Sequence, residues 1–167
     1  MKQFKTLAIA LVLFVGMQIS AQTKTAHIDV QTLMTGMPEM KAAQAQILKV
    51  QETYDKEYKT MVQEYQTKLQ KYEQEAPTVG EAMNETRSKE MQDMGSRIQQ
   101  YRESAAKELE TKQVELMKPI MEKAQAAIKK VAKASGFEYV LDSTTGSGVL
   151  VADGTDLLAP VKKELGF

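Results

Sequence analysis

YDKEYKTMVQEYQTKLQKY, residues 54–72, repeats an apolar or aromatic residue every three or four positions, and four of these residues are tyrosines. Followed outward, the stripe runs Met40, Ala43, Ile47, Val50, Tyr54, Tyr58, Met61, Tyr65, Leu69, Tyr72, with a mean step of about 3.6 residues, the period of an α-helix. Neither glycine nor proline breaks it between Pro38 and Ala76. Pro38 suits the first helical position, where its missing N–H is harmless, and Glu39 suits the positive end of the helix dipole. From Val50 to Tyr72 the steps average about 3.67, which opposes left-handed supercoiling. A fairly straight arm about 57 Å long follows, at about 1.5 Å per residue. A dry core would use Leu and Ile, so the tyrosines raise the question of what this stripe faces.

APTVGE, residues 76–81, carries Pro77 and Gly80 and reads as a tight reversal. A second periodic run follows, through Met91, Met94, Ile98, Tyr101, Ala105, Leu109, Leu116, Ile120, Ala124, Ala127 and Val131, until Ser135-Gly136 stops it. Residues 38–134 are therefore predicted to form an antiparallel helical hairpin. With its turn centred near residues 78 and 79, Pro119 falls opposite Pro38, and a bend is expected at Pro119. Gly95-Ser96 interrupts the second run midway and is a candidate hinge, together with Pro119.

Outside the hairpin, residues 26–30 (AHIDV) alternate as a strand, and residues 138–143 and 148–153 flank the turn TTGS as an expected β-hairpin. A short helix is expected from about Ala159-Pro160. The fold class is α+β, mainly α. Residues 22–37 give a first strand and connector, residues 38–134 the coiled-coil arm, and residues 135–167 the β-hairpin and terminal helix. Three short strands leave open edges and too little apolar surface for stability alone. An obligate oligomer is expected, in which self-association completes a small β body.

Residues 1–21 read as a secretory signal peptide: Lys2 and Lys5 precede an apolar run that ends in Ile19-Ser20-Ala21. That run is shorter than the ~20 residues that span a bilayer. An exported, periplasmic protein cleaved near Ala21 is expected, with no stable membrane insertion. Because residues 1–21 hold two lysines and no acids, the 22 basic and 22 acidic residues of the chain become 20 and 22, a formal charge of −2. No nucleic-acid partner is expected from that balance. Without cysteine there is neither a disulfide framework nor Cys-ligated zinc.

The residues suggest neither catalytic, cofactor-binding nor metal-binding sites. His27 is the sole histidine, with Asp29 its nearest acid on the same expected strand face, whereas a ligand site needs three or four convergent groups. No Ser-His-Asp set, P-loop or GxGxxG stands out. The acids fall between stripe positions with lysines at helical spacing, as in Asp55/Lys59 and Glu64/Lys68, and read as a solvated face. An enzyme is not expected.

Charge is unevenly placed. Residues 73–90 hold five glutamates against Arg87 and Lys89, while residues 112–133 hold six lysines against two glutamates. The tip is acidic and the base basic. The tyrosine and methionine stripe has two readings. It is the packing seam of the hairpin, or its outer half also offers an adaptable surface to unfolded chains, since Tyr packs its ring with a wet hydroxyl and Met fits irregular partners. The candidate contact residues are Tyr54, Tyr58, Met61, Tyr65, Tyr72, Met83, Met91, Met94 and Tyr101.

The order of parts resembles the Skp/OmpH family of periplasmic chaperones. The segments that carry the resemblance are AHIDVQTLMTGMPEMKAAQAQI (26–47), PIMEKAQAAIKKVAKASGFEYVLDS (119–143) and VLVADGTDLLAPVKKEL (149–165). It implies a homotrimer whose strands form a β body and whose three arms surround a cavity, where unfolded outer-membrane β-barrel proteins are held without ATP. Known members carry strongly basic arms. This chain is near neutral with an acidic tip, so no electrostatic or lipopolysaccharide-binding residue carries over. An exported scaffold docking one folded partner is the alternative reading.

Overall fold

The computed structural model describes residues 24–167; the expected signal peptide lies outside the described residues. In chain order the elements are β1 (Thr25–Ile28), α1 (Val30–Gly36), α2 (Pro38–Glu75), α3 (Glu81–Ala134), β2 (Tyr139–Asp142), β3 (Thr155–Asp156) and α4 (Leu158–Leu165).

The first strand ends earlier than its alternation predicts, because Asp29 caps a helix. Its Oδ1 accepts from Thr32 N at 2.7 Å and its Oδ2 from Thr32 Oγ1 at 2.7 Å, which satisfies an orphan amide of α1. Asp29 is thus not a strand neighbour of His27. The expected connector is in fact α1, which buries Leu33 completely. Met37 separates the helices: its extended backbone (φ −65°, ψ 130°) is the conformation that a following proline imposes.

The arm is the predicted antiparallel pair, α2 against α3. Ala76–Gly80 make the reversal, with Thr78 N donating to Glu75 O at 2.9 Å and Asn84 Nδ2 to Ala76 O at 3.1 Å. The 54-residue α3 is about 81 Å long at about 1.5 Å per residue. It is helical straight through Gly95 and Pro119. The register lies within about one helical turn of the expected one: Tyr101 meets both Tyr54 and Glu57, while Glu39 pairs with Lys123. At the far end Gly136 takes φ +73° and Phe137 N bonds back to Ala132 O at 2.9 Å, the left-handed helix stop that glycine permits.

The sheet corrects a second expectation. Its order is β2-β1-β3, and both outer strands run parallel to β1, with Ala26 beside Val140 and Thr155. No β-hairpin joins residues 138–143 to 148–153. Asp142 prevents it: its Oδ1 accepts from Thr144 N at 2.9 Å and Thr144 Oγ1 at 2.6 Å, an Asx-type turn that leads the chain away from β2. The whole arm serves as the crossover from β1 to β2, as parallel pairing demands.

One core unites the sheet with the base of the arm. Ile28, Leu33, Met37, Leu157 and Val161 are its fully buried large side chains. Ala124, Ala127 and Ala132 of α3 join them, their small size letting the helix come close. The opposite face of the sheet is open, with Tyr139 59 % and Leu141 47 % exposed.

Candidate functional site

Cross-helix geometry shows what the tyrosine stripe faces. Tyr54 and Tyr101 meet edge to face in the seam, ring centroids 6.2 Å apart. Each hydroxyl then reaches a carboxylate on the opposite helix, Tyr54 donating to Glu108 Oε2 at 2.5 Å and Tyr101 to Glu57 Oε2 at 2.7 Å. Tyr72 repeats the pattern toward the tip, donating to Glu90 Oε2 at 2.6 Å. The rings supply apolar area at the centre of a narrow seam and the hydroxyls close its wet margins. Leu or Ile at these positions would leave that margin without a donor.

The acids involved sit where sequence spacing gave only a solvated face. Lys68 bonds to Glu90 across the seam, rather than to Glu64 on its own helix, and no Asp55–Lys59 bridge forms among the described residues. Arg87 stacks 4.5 Å above the Tyr72 ring and donates to Glu75 Oε2 at 2.5 Å. Two of the five tip glutamates are therefore spent within the arm. The Lys68–Glu90 pair is about half open to solvent and so of modest strength and screened by salt, whereas Arg87, 17 % exposed, is partly buried in its pair with Glu75. The signal that could have identified them is cross-helix register, which spacing along a single helix does not carry.

The remaining candidates divide by exposure. Met91 and Met94 are buried in the seam, at 9 % and 7 % exposure, whereas Met83 is 51 % exposed. Tyr58, Met61 and Tyr65 are half-buried. They show ring or thioether edges to solvent. Ser96 and Pro119 are exposed on α3. Gly95 lies against the seam, where a Cβ would stand 4.0 Å from Tyr65 Cε2, ordinary contact. Gly95→Ala is therefore expected to stabilise the arm by up to about 1 kcal/mol, the helix-propensity difference. If Gly95 is a hinge, the variant will also slow amide exchange at residues 90–100 and 58–66; unchanged rates remove that role.

The ladder fixes a pH profile. The hydrogen bond from Lys68, then that from Tyr72, holds Glu90 below its ordinary value, and Lys123 does the same to Glu39. A depressed carboxylate stabilises the fold above its unfolded pKa, and that contribution fades as pH falls through the folded value. The Glu90 bond raises Lys68 and Tyr72, the Glu108 bond raises Tyr54, and Tyr101 is pushed up to about 12, first by burial and then by Glu57. Groups raised in the fold stabilise it below their unfolded pKa and lose that contribution as pH rises through the folded one. Arm stability, read from urea midpoints at 222 nm, should be flat from about pH 5 to 10 and fall on either side. Tyr101→Phe should flatten the alkaline fall between pH 10 and 12; an unchanged slope would remove Tyr101 from the account.

His27 donates or accepts at Ser143 Oγ (3.1 Å) through Nδ1 and donates to Gly154 O (3.3 Å) through Nε2, tying three parts of the β body together. No group of three or more potential metal ligands occurs among the described residues. No helix among them is long and apolar enough to cross a membrane.

A family model described as outer membrane protein (OmpH-like) matches residues 24–165. No curated protein matches the chain. A crystal structure from Caulobacter crescentus CB15, described as OmpH-like, is similar in fold at a TM-score of 0.77 and 15 % identity, over 87 % of this chain and 85 % of that one.

Proposed function

The chain belongs to the family of OmpH-like outer membrane proteins, and from that premise we propose that it is a periplasmic holdase. Three copies join through their β bodies, and the arms enclose a space in which unfolded outer-membrane β-barrel proteins are kept from aggregating without ATP. The observation that carries the reading is a division of labour in the apolar surface. The sheet keeps an uncovered face, with Tyr139 and Leu141, beside the folded core. The arm is closed by a thin seam and stands in solvent, with scattered apolar side chains exposed along it, Met83 at the tip and Leu48, Val114 and Met121 toward the base.

Such an arm grips by many weak contacts. Met83, Met61, Tyr58 and Tyr65 offer polarizable or amphipathic edges without a shaped pocket, which suits clients that share no fixed conformation. The near-neutral charge and the internal pairing of Glu75 and Glu90 leave electrostatic capture a small role.

The test is light scattering as a urea-unfolded outer-membrane β-barrel protein is diluted into buffer with increasing mature protein and no nucleotide. Suppression saturating near one trimer per client is expected. Unchanged scattering in the presence of intact assemblies would instead favour a scaffold that docks a folded partner.

A further inference from the structure

The outer end of the arm is closed without a core. From residue 44 to residue 90 no side chain is buried, and the outermost buried members of the seam are Met91 and Met94 of α3. The two helix ends that meet at the reversal are also weak by their own sequence. Glu73 and Glu75 stand in the last turn of α2, which holds no basic residue, so both carboxylates lie at the negative end of a helix dipole. Gly80 begins α3 without a side-chain hydrogen bond to the free amides of its first turn.

What holds these ends together is a knot of charge. Lys68 pairs with Glu90. Tyr72 donates to the same carboxylate at 2.6 Å, and Arg87 donates to Glu75 Oε2 at 2.5 Å with its guanidinium 4.5 Å above the Tyr72 ring. Asn84 Nδ2 adds a neutral tie to Ala76 O. Closure also carries a penalty. Arg87 Nη1 is buried and finds no hydrogen-bond partner among the described residues, so the closed tip forfeits hydration that an open one would restore. The charge attraction that favours closure weakens with salt, whereas the loss at Nη1 does not. Salt therefore acts in one direction, toward opening.

We propose that residues 68–90 form a salt-sensitive clasp, at which α2 and α3 part locally while the buried pair Met91 and Met94 acts as the stop. Segments with few buried contacts open in this way without global unfolding. Parting wets Arg87 Nη1 and frees the ring of Tyr72, half-buried beneath Arg87. That ring then joins exposed Met83 as apolar surface at the tip. Use of this surface by a client rests on the proposed function; the clasp itself does not.

The test is amide exchange of the mature protein without client, in about 0.01 M and about 1 M sodium chloride, between which the Debye length falls from about 30 Å to about 3 Å. Residues 68–90 are expected to exchange about five-fold faster at high salt, the scale of two modest ion pairs lost, while residues 94–105 keep their rates. Glu75→Gln/Glu90→Gln should exchange at low salt as fast as the parent does at high salt, and lose the salt response. A tip that exchanges equally at both salts, or a double variant that keeps the parent's response, overturns the clasp. Acceleration of residues 94–105 together with the tip overturns Met91 and Met94 as its stop. For the client, Glu75→Cys/Arg87→Cys is joined by a short bismaleimide in a chain with no other cysteine. The joined tip should require more protein for half-suppression of client aggregation than the same variant left unjoined. Equal amounts would overturn the client's use of Tyr72 and leave the clasp standing on its exchange. A parent chain that suppresses nothing would count against the proposed function instead.

Discussion

Leu33→Ala is expected to lower the stability of the β body by about 2–5 kcal/mol, the range for a large aliphatic side chain truncated in a packed core. Leu33 is completely buried, on the helix between β1 and the arm, in one cluster with Ile28, Met37, Leu157 and Val161. That cluster draws on β1, α1, α4 and the base of the arm, with Val140 of β2 packed against it, so a cavity there cannot be closed by moving one helix. For a small domain such a loss is comparable to its whole margin. The arm has a separate seam farther out, with Met91 and Met94 its buried members. Urea unfolding followed at 222 nm should therefore show an early step in Leu33→Ala that the parent lacks, while most helical signal persists. Leu33→Met, which nearly conserves volume, should lose less than about 1.5 kcal/mol. A loss below about 1 kcal/mol for the alanine variant would mean that the base of the molecule is loosely packed.

The arm was legible because its signal is local and repeated: a helical period over dozens of residues, proline at the start, glycine and proline at the turn. The body was not, because its elements depend on distant partners. VQTLMTG, residues 30–36, is too short for its period to show, and Asp29 reads as a strand residue until its carboxylate is seen on Thr32. GVLVAD has the stronger strand propensity and Thr155-Asp156 the weaker, yet the latter is β3. What selects it is the next residue: Leu157, 2 % exposed, enters the core while its N–H bonds His27 O at 2.9 Å, and that anchor draws residues 155–156 alongside β1. Propensity gave way to tertiary position, as it often does in strands. The tyrosine–glutamate ladder was half legible. The spacing located the rings, but their carboxylate partners depend on how two helices slide past each other.

Burial also separates two methionines that the sequence placed in one class. Met94→Ala is expected to destabilise the arm by about 2 kcal/mol, the lower end for a buried methionine, because a two-helix seam can partly collapse around the gap. Met94 sits in the seam next to Gly95, with 7 % of its surface exposed. Its loss should shift the arm's urea midpoint, and any weaker hold on an unfolded client should track the fraction of arm that is unfolded. Met83, 51 % exposed, predicts the converse. Met83→Ser removes thioether area from the tip without opening a cavity, so the midpoint should move by less than about 0.5 kcal/mol, the usual bound for surface changes. Its effect should appear instead as more protein needed for half-suppression of client aggregation. If Met94→Ala weakens client holding at a urea-free temperature where its arm is fully helical, the seam must open to admit clients. The buried methionines would then belong to the binding surface after all, and the arm would act by parting its helices instead of presenting their edges.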